Sequence, residues 1–440
     1  MLASCIILPI ELITRIDMER DLIETRRFYH KIAEPAWLEF KTTINIIKDL
    51  KKLGVTDIKY GKKIHKEDLI FGRPTPLKIR SYAETIKTRE DFDFSEILMG
   101  YTGLIATIDT GRPGKTFSFR FDIDALPIKE STDKFHKPFR EGFASQNQGS
   151  MHACGHDGHL SMGIFLAKWI LENKNNLSGK YILIFQPGEE GLRGAKSLSE
   201  SECLNDIDYF FAGHLGMGLG SGKVGVGTTG FLASTKLDII FKGHSSHAAA
   251  RPEEGKNANL AAASALLNLE TIAQHSKGMA RLNVGVIKGG TARNIISDKA
   301  VLEMETRGAN DEVNNFLVTR AIQVVKGASV QYDLDYEVKI AGSAPAIEKA
   351  DFKFYEEINQ ILVEKGFDTV KNPDFKASED VCYYINKVNS EGGSAIHFIF
   401  GSDLAAGHHN KAFDFDEKSL FTGLEVFKEC IKFLNKNGKS

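Results

Sequence analysis

The pattern of apolar and polar positions changes rhythm twice along the chain. From residue 157, apolar positions spaced three and four apart alternate with short continuous apolar runs, which predicts a helix over 157–173, a strand over 180–186, a helix over 194–201 and a strand over 207–213. Upstream, helical spacing covers 21–33 and 38–53, the second ended by Gly54. Strands are predicted over 102–109 and 116–122, paired with each other across the turn Gly111-Arg112-Pro113-Gly114. Such alternation implies a mixed α/β sheet with helices on its faces. From about Ser234 the order becomes strand (235–241), helix (257–273), two strands (281–287, 300–307), helix (313–326) and strand (329–340), a compact α+β unit of βαββαβ, ferredoxin-like type. Helices over 352–364 and 379–387 then resume the first rhythm. The expectation is one domain made of residues 1–233 and 346–440, interrupted by a smaller one over 234–345. The sequence holds no internal repeat or low-complexity tract.

At 440 residues the chain is too long for one ordinary core, which agrees with two domains. Its 56 basic and 58 acidic residues leave a net charge of −2, too small a field to attract nucleic acid or an anionic membrane. Five cysteines, odd in number and without paired spacing, argue against a disulfide framework and for a reducing compartment. Leu2-Ala3-Ser4-Cys5 mimics a lipoprotein cleavage box, yet no basic region or apolar stretch precedes Cys5, and the apolar run over 6–13 is too short to span a bilayer. A packed N-terminal segment in the cytoplasm is expected.

Metal-type side chains gather in four places, each at a strand or loop end. The first is Met151-His152-Ala153-Cys154-Gly155-His156-Asp157-Gly158-His159, where Cys154 and His156, two apart, project the same way in an extended segment and reach one metal or a close pair. Read by itself, Cys154 is equally a buried thiol, or a nucleophile activated by His152 or His156. The second is Gln186-Pro187-Gly188-Glu189-Glu190-Gly191: adjacent carboxylates point apart, so one can bind metal while the other moves a proton. Alone, the pair also fits a solvated helix start. The third is Gly213-His214, and the fourth Gly407-His408-His409-Asn410. Asp122 and Asp124, at the end of a predicted strand, are either turn acids or supports for this chemistry.

Together these segments resemble the M20 metallopeptidases, specifically the amidohydrolase branch that cleaves N-acyl amino acids, over nearly the whole chain. Glu34-Pro35-Ala36-Trp37, Phe143-Ala144-Ser145 and Glu305-Thr306-Arg307-Gly308 look most like the group of A-type p-aminobenzoyl-glutamate hydrolase chains, and residues 59–95 resemble the insertion that sets that group apart from shorter hippurate and indole-acetyl-amino-acid hydrolases. Gly188 departs from the pattern, since many relatives carry Pro-Ala before the paired acids.

The resemblance implies a site of two divalent metal ions per subunit, Zn²⁺ or Mn²⁺, held by Cys154, His156, Glu190, His214 and His409. His409 is preferred to His408 because its spacing to Phe413 fits the family's His-x-x-x-Phe pattern. It further implies Glu189 as general base, Asp157 or His159 as support, and the smaller domain as a dimerisation or lid domain. From that domain His247 would reach a substrate carbonyl oxygen, usually in the neighbouring subunit, with Asn294 and Arg307 lining the same pocket. Arg293 either pairs with a substrate carboxylate or faces solvent; His244 is read as an exposed loop histidine. The implied reaction is hydrolysis of an N-acyl or N-aroyl amino acid, p-aminobenzoyl-glutamate first, in a folate-breakdown role. The alternatives are a broader, hippurate-like amidohydrolase and a metal-binding subunit that needs a related chain, and the implied assembly is a homodimer or such a heteromer.

Overall fold

The computed structural model describes residues 10–437, with side chains from 17 to 436, so the Leu2 to Cys5 segment lies outside the described residues. Twelve strands follow in chain order: β1 (Asp57–Tyr60), β2 (Leu104–Asp109), β3 (Thr116–Asp122), β4 (Lys180–Gln186), β5 (Tyr209–Leu215), β6 (Lys223–Val226), β7 (Ala233–Lys242), β8 (Ala280–Gly289), β9 (Lys299–Gly308), β10 (Asp335–Ala344), β11 (Asp368–Lys371) and β12 (Ser394–Phe400). They form an eight-stranded mixed sheet, ordered β1-β2-β4-β3-β5-β12-β6-β11, and a four-stranded sheet, ordered β10-β7-β9-β8.

The central strands of the large sheet are buried on both faces because they are apolar at successive positions, whereas the edge strands β1 and β11 are polar and partly exposed. Phe117, Phe119, Phe121, Leu183 and Phe185 face the helices His156–Glu172 and Ser419–Asn437, while Ile182, Ile184, Phe210 and Ala212 face the helix Cys382–Ser390. Strands β4, β3, β5 and β12 run parallel. Their C-terminal ends therefore lie side by side, and those ends lead to Asp122, Glu189, His214 and the loop of His408 and His409. Crevices at such strand ends are where open α/β sheets bind ligands.

Two expected elements are corrected. Strands β2 and β3 flank β4 instead of pairing with each other: β2 is antiparallel to β4, and β3 parallel to it. The β4 residues Tyr181 to Gln186 are buried throughout, so this strand gains from a partner on each side, and Gly179 enters the Gly111 turn by hydrogen bonds with Thr110 and Arg112. The strand expected over 329–340 begins only at Asp335, because the helix Asp311–Gln331 continues its buried stripe of Leu317, Ala321, Val325 and Ala328. The C-terminal helix Ser419–Asn437 was not anticipated, although Leu420, Leu424, Phe427, Ile431 and Leu434 keep helical spacing and are all buried.

Between β7 and β10 the elements run strand, helix, strand, strand, helix, strand, with one face of the four-stranded sheet covered by the helices Ala258–Leu269 and Asp311–Gln331. Chain sections on either side of this unit belong to the large sheet. No helix among the described residues is long and apolar enough to cross a membrane.

Candidate metal centre

The loop before the helix His156–Glu172 is anchored by paired backbone hydrogen bonds between Met151 and Leu126. Gly155, at the helix N-cap, has a φ of +90°, a left-handed conformation that glycine adopts without steric cost. This turn sets Cys154 and His156 towards one buried space. The second segment is held more elaborately. Backbone N–H groups of Glu189 and Glu190 donate to the two oxygens of Asp124, at 3.1 and 2.9 Å, and the Gly188 N–H donates to Glu39 Oε1 at 2.9 Å. Gly188 itself has a φ of +62°, a left-handed conformation that suits the glycine standing where many relatives carry alanine.

Histidine tautomers follow from the partners. A carbonyl oxygen only accepts, so His156 Nδ1, 2.8 Å from the Asp124 carbonyl, carries the proton, and so does His214 Nδ1, 2.9 Å from the Leu215 carbonyl. The Nε2 atoms are thereby turned inward. His156 Nε2 is buried without a hydrogen-bond partner among the described residues, and His214 Nε2 lies 3.4 Å from Cys154 Sγ. Imidazoles fixed at Nδ1 by a carbonyl present Nε2 as a metal donor.

Potential donor atoms of Cys154, His156 and Glu190 all lie within 4.8 Å of one another, and those of Cys154, His214 and His408 do as well. The two groups share Cys154. His409 has a left-handed φ of +64°, donates its N–H to the Ala153 carbonyl, and places Nε2 3.3 Å from Glu190 Oε1 with the side chain 54% exposed. His408 donates from Nε2 to the Leu215 carbonyl at 3.1 Å and packs against the His214 ring. The structure thus brings both histidines to the cluster, at opposite ends.

Charge around the cluster is strongly negative. Burial would lower the pKa of His156, but Asp122, Asp124 and Glu190 outweigh it and push it up to about 10. Burial and the acids Glu190 and Glu189 push the Cys154 thiol well above its ordinary range. A thiol in this setting stays protonated in the absence of a cation, the reverse of the electropositive surroundings that activate nucleophilic cysteines, so the thiol-nucleophile reading is set aside. Burial, then Glu379 and Glu190, push Glu189 well above the usual carboxylate range.

The supporting residues divide. His159 Nδ1 donates to Asp122 at 2.6 Å, and its Nε2 accepts from the Leu215 N–H at 3.0 Å, so both nitrogens are engaged. Asp157 faces away from the cluster, towards Arg26 at 2.7 Å and His30 at 2.8 Å. His30 continues to Glu130, and Glu130 to His136. Burial alone would lower the His30 pKa, but hydrogen bonds to Asp157 and Glu130 raise it to about 9. A raised pKa stabilises fully below the unfolded value of about 6.5 and is lost as pH rises through the folded one. The melting temperature of His30→Gln is therefore expected to fall furthest below wild type near pH 6, with the gap closing above about pH 9; a gap that does not change with pH would show His30 to be neutral when folded.

Several residues of the site were not anticipated: Asp124 as a double acceptor, Glu39, Arg120, and the acids Glu379 and Asp380. Arg120 is buried, donating to Asp122 at 2.6 Å, Gln186 at 2.7 Å and Asp380 at 3.0 Å. A signal existed, since Arg120 and Asp122 interrupt an otherwise apolar strand. Glu379 and Asp380 lie close to Glu189 and carry raised pKa values, chiefly from burial.

Residues expected on the smaller unit are placed differently from one another. Arg307 is bound by both oxygens of Glu305 and approaches Ser378 Oγ at 3.5 Å, next to Glu379. His247, Arg293 and Asn294 lie on exposed loops and share no hydrogen bond or ion pair with the donor cluster among the described residues. Backbone N–H groups of Ala249 and Ala250 donate to His247 Nδ1, so its Nε2 carries the proton and faces outward as a donor.

A family model described as peptidase family M20/M25/M40 matches residues 118–432. The A-type chain of the p-aminobenzoyl-glutamate hydrolase of Escherichia coli strain K12 is 40% identical over 409 residues, 91% of this chain and 93% of that protein. The indole-3-acetyl-aspartic acid hydrolase of Enterobacter agglomerans is 39% identical over 412 residues, 92% of this chain and 94% of that protein. Among solved structures, the aminobenzoyl-glutamate utilization protein from Klebsiella pneumoniae superposes with a TM-score of 0.81 at 31% identity, covering 98% of this chain and 100% of that one.

Proposed function

Because the chain belongs to the M20/M25/M40 peptidase family and is a hydrolase of amide bonds, we propose that it cleaves N-acyl and N-aroyl amino acids, with p-aminobenzoyl-glutamate split into p-aminobenzoate and glutamate as the principal reaction. The observation that carries this reading is the pair of overlapping donor groups sharing Cys154, with Glu189 beside them. Two divalent cations per subunit, Zn²⁺ or Mn²⁺, would be held by Cys154, His156, Glu190, His214 and His409, with His408, which shares the second donor group with Cys154 and His214, as the alternative to His409. The mixture of thiol, imidazole and carboxylate suits such ions; among the described residues His156 Nε2 is buried without a hydrogen-bond partner, and Glu190 Oε1 has no hydrogen bond and only His409 Nε2 nearby, at 3.3 Å, so both offer lone pairs to a cation. When bound, these ions supply positive charge that polarises an amide carbonyl and makes water more acidic.

The chain's own groups do the proton work. Glu189 takes a proton from the attacking water and returns it to the departing nitrogen, and its raised pKa suits a carboxyl that holds the proton between the two transfers. Asp124 and Glu39 fix the turn that aims it. His247 donates from Nε2 to the carbonyl oxygen as negative charge develops there. We assign residues 1–233 and 346–440 to the catalytic domain and 234–345 to an inserted ferredoxin-like lid, which pairs with a second copy or a related chain and delivers His247, Asn294 and Arg307 to the substrate. Arg293 takes the substrate carboxylate in this scheme.

The test is release of free amine from p-aminobenzoyl-glutamate and from hippurate, by protein as isolated, after chelation, and after Zn²⁺ or Mn²⁺ is returned. Metal-dependent release from the first substrate alone is the expected result. Release from both favours a broad hydrolase, a reading supported by the nearly equal identity to the indole-3-acetyl-aspartic acid hydrolase. Full activity after exhaustive chelation would overturn the metal-dependent scheme. Inactivity of a metal-loaded single chain would point to a partner, in keeping with the Escherichia coli relative, which is named as one subunit of its enzyme.

A further inference from the structure

The uncovered face of the four-stranded sheet closes a cavity of about 520 Å³ against two loops of the large domain, one carrying Gly72 and Arg73 and the other Arg193, three residues beyond Glu190. The junction is closely built. The Ser343 N–H donates to the Leu192 carbonyl at 2.8 Å, a Cβ on Gly72 would come within 2.4 Å of the Ala341 carbonyl, and a Cβ on Gly342 within 1.9 Å of the Gly191 carbonyl. Only glycine permits such contacts, so the walls of the cavity are fixed by the fold.

Its charges are left unmatched in a specific way. The Nε atoms of Arg73 and Arg193 are both buried without a hydrogen-bond partner among the described residues. Arg73 is otherwise held by the Met99 carbonyl and the Tyr101 ring, with the exposed carboxylate of Glu67 at 3.9 Å from Nη1, and among the described residues Arg193 reaches only the Gly72 carbonyl, at 3.5 Å. Asp238 makes no side-chain hydrogen bond or ion pair among the described residues. Its cross-strand neighbours are Glu303, which repels it, and Lys339, which is paired with Glu337 at 3.1 Å. Lys236 and Arg307 are both spent on Glu305. One wall therefore offers two guanidinium groups whose Nε–H lacks an acceptor, and another a carboxylate that Arg193 and Lys339 attract from a distance but that no cation contacts among the described residues. Buried donors are rarely left in this state, and the edge of a guanidinium matches a carboxylate. The volume falls in the range of small-molecule sites.

We propose that this cavity is a second binding site, for a free α-amino acid, whose carboxylate lies on Arg73 and Arg193 and whose ammonium group lies on Asp238. None of these residues belongs to the donor cluster around Cys154, so the site does not rest on the proposed hydrolytic reaction. An amino acid seated here ties the loop that carries Glu189 and Glu190 to the inserted sheet, which makes it a candidate effector of the relative placement of the two.

The test is calorimetric titration of the metal-loaded protein with glycine, L-leucine and L-glutamate, and with glutarate and methylamine as single-charge controls, in wild type, Asp238→Asn and Arg73→Gln. At least one amino acid is expected to bind at least tenfold more tightly than either control, and to lose at least tenfold in affinity in each variant, with turnover unchanged within twofold. Asp238→Asn is isosteric at a half-buried position of the cavity wall, and an unchanged melting curve checks that it folds. Amino-acid binding unaffected by both variants places the ligand elsewhere and overturns the proposal. So does binding of glutarate as tight as that of glutamate, or no binding of any of the three amino acids at millimolar concentration.

Discussion

Replacement of Glu189 by glutamine is expected to lower turnover of p-aminobenzoyl-glutamate by about 10²-fold to 10⁴-fold, the range for losing one acid/base group, while bound metal is retained. The side chains are the same size, and the turn that places residue 189 is held through its backbone N–H and that of Glu190, both donating to Asp124. The amide can neither accept the proton of water nor return it to nitrogen. Glu190→Gln should behave differently, because Glu190 lies within 4.8 Å of Cys154 and His156 donor atoms, and its loss should appear first in metal content. Turnover and metal stoichiometry measured on both variants separate the roles. Undiminished turnover in Glu189→Gln would remove that residue from the chemistry, and loss of metal in that variant would reassign it as a ligand.

Replacement of Arg26 by methionine is expected to destabilise the protein by about 3–5 kcal/mol or more, the range for breaking a buried ion pair by removing one partner. Arg26 has no exposed side-chain surface and contacts three carboxylates: Asp157 at 2.7 Å, Asp414 at 2.8 Å and Glu417 at 3.3 Å. Its guanidinium also packs 4.3 Å from the centre of the Phe415 ring. Methionine fills much of the volume but takes the guanidinium from Asp414, and leaves Asp157 to His30 and Glu417 to Arg27 and Lys137. Arg27, 28% exposed and paired with Glu417 and Glu141, is the comparison, and Arg27→Met should cost about 1 kcal/mol or less. Urea unfolding of both variants measures the difference. Equal and small losses would mean that the three acids are neutralised by protonation rather than by Arg26. Since Asp157 follows His156 and Asp414 follows Phe413, the Arg26 variant should also bind metal less tightly, as the two halves of the centre lose their common tie.

Much of this protein is legible without coordinates. Strands Thr116–Asp122 and Lys180–Gln186 and the helix Phe352–Glu364 begin and end where residue spacing puts them. Cys154, His156, Glu189, Glu190, His214 and His409, drawn from four separate segments, meet at one place. What failed was pairing at a distance. Nothing in residues 102–122 reveals that Lys180–Gln186 lies between the two strands, because that choice depends on how β4 is buried on both faces. The networks around Arg26 and Arg120 were equally hidden: Arg26 and Asp414 are 388 positions apart, and Arg120 and Asp380 are 260 apart. A lone charge in an apolar segment signals burial but does not name its partners.

Where the elements lie, and which donor atoms could gather, is written in the order of the residues, since helical and strand periodicity are local and the chemistry of a thiol, imidazole or carboxylate goes with the residue. Which atoms of those residues face inward was settled by packing in three dimensions. The carbonyl that accepts the hydrogen bond from His156 Nδ1 belongs to Asp124, 32 positions away, and the side chain of that same aspartate holds the backbone of Glu189 and Glu190. Such choices depend on distances and on the shared negative charge of a buried space, and those exist only once distant strand ends have been brought side by side.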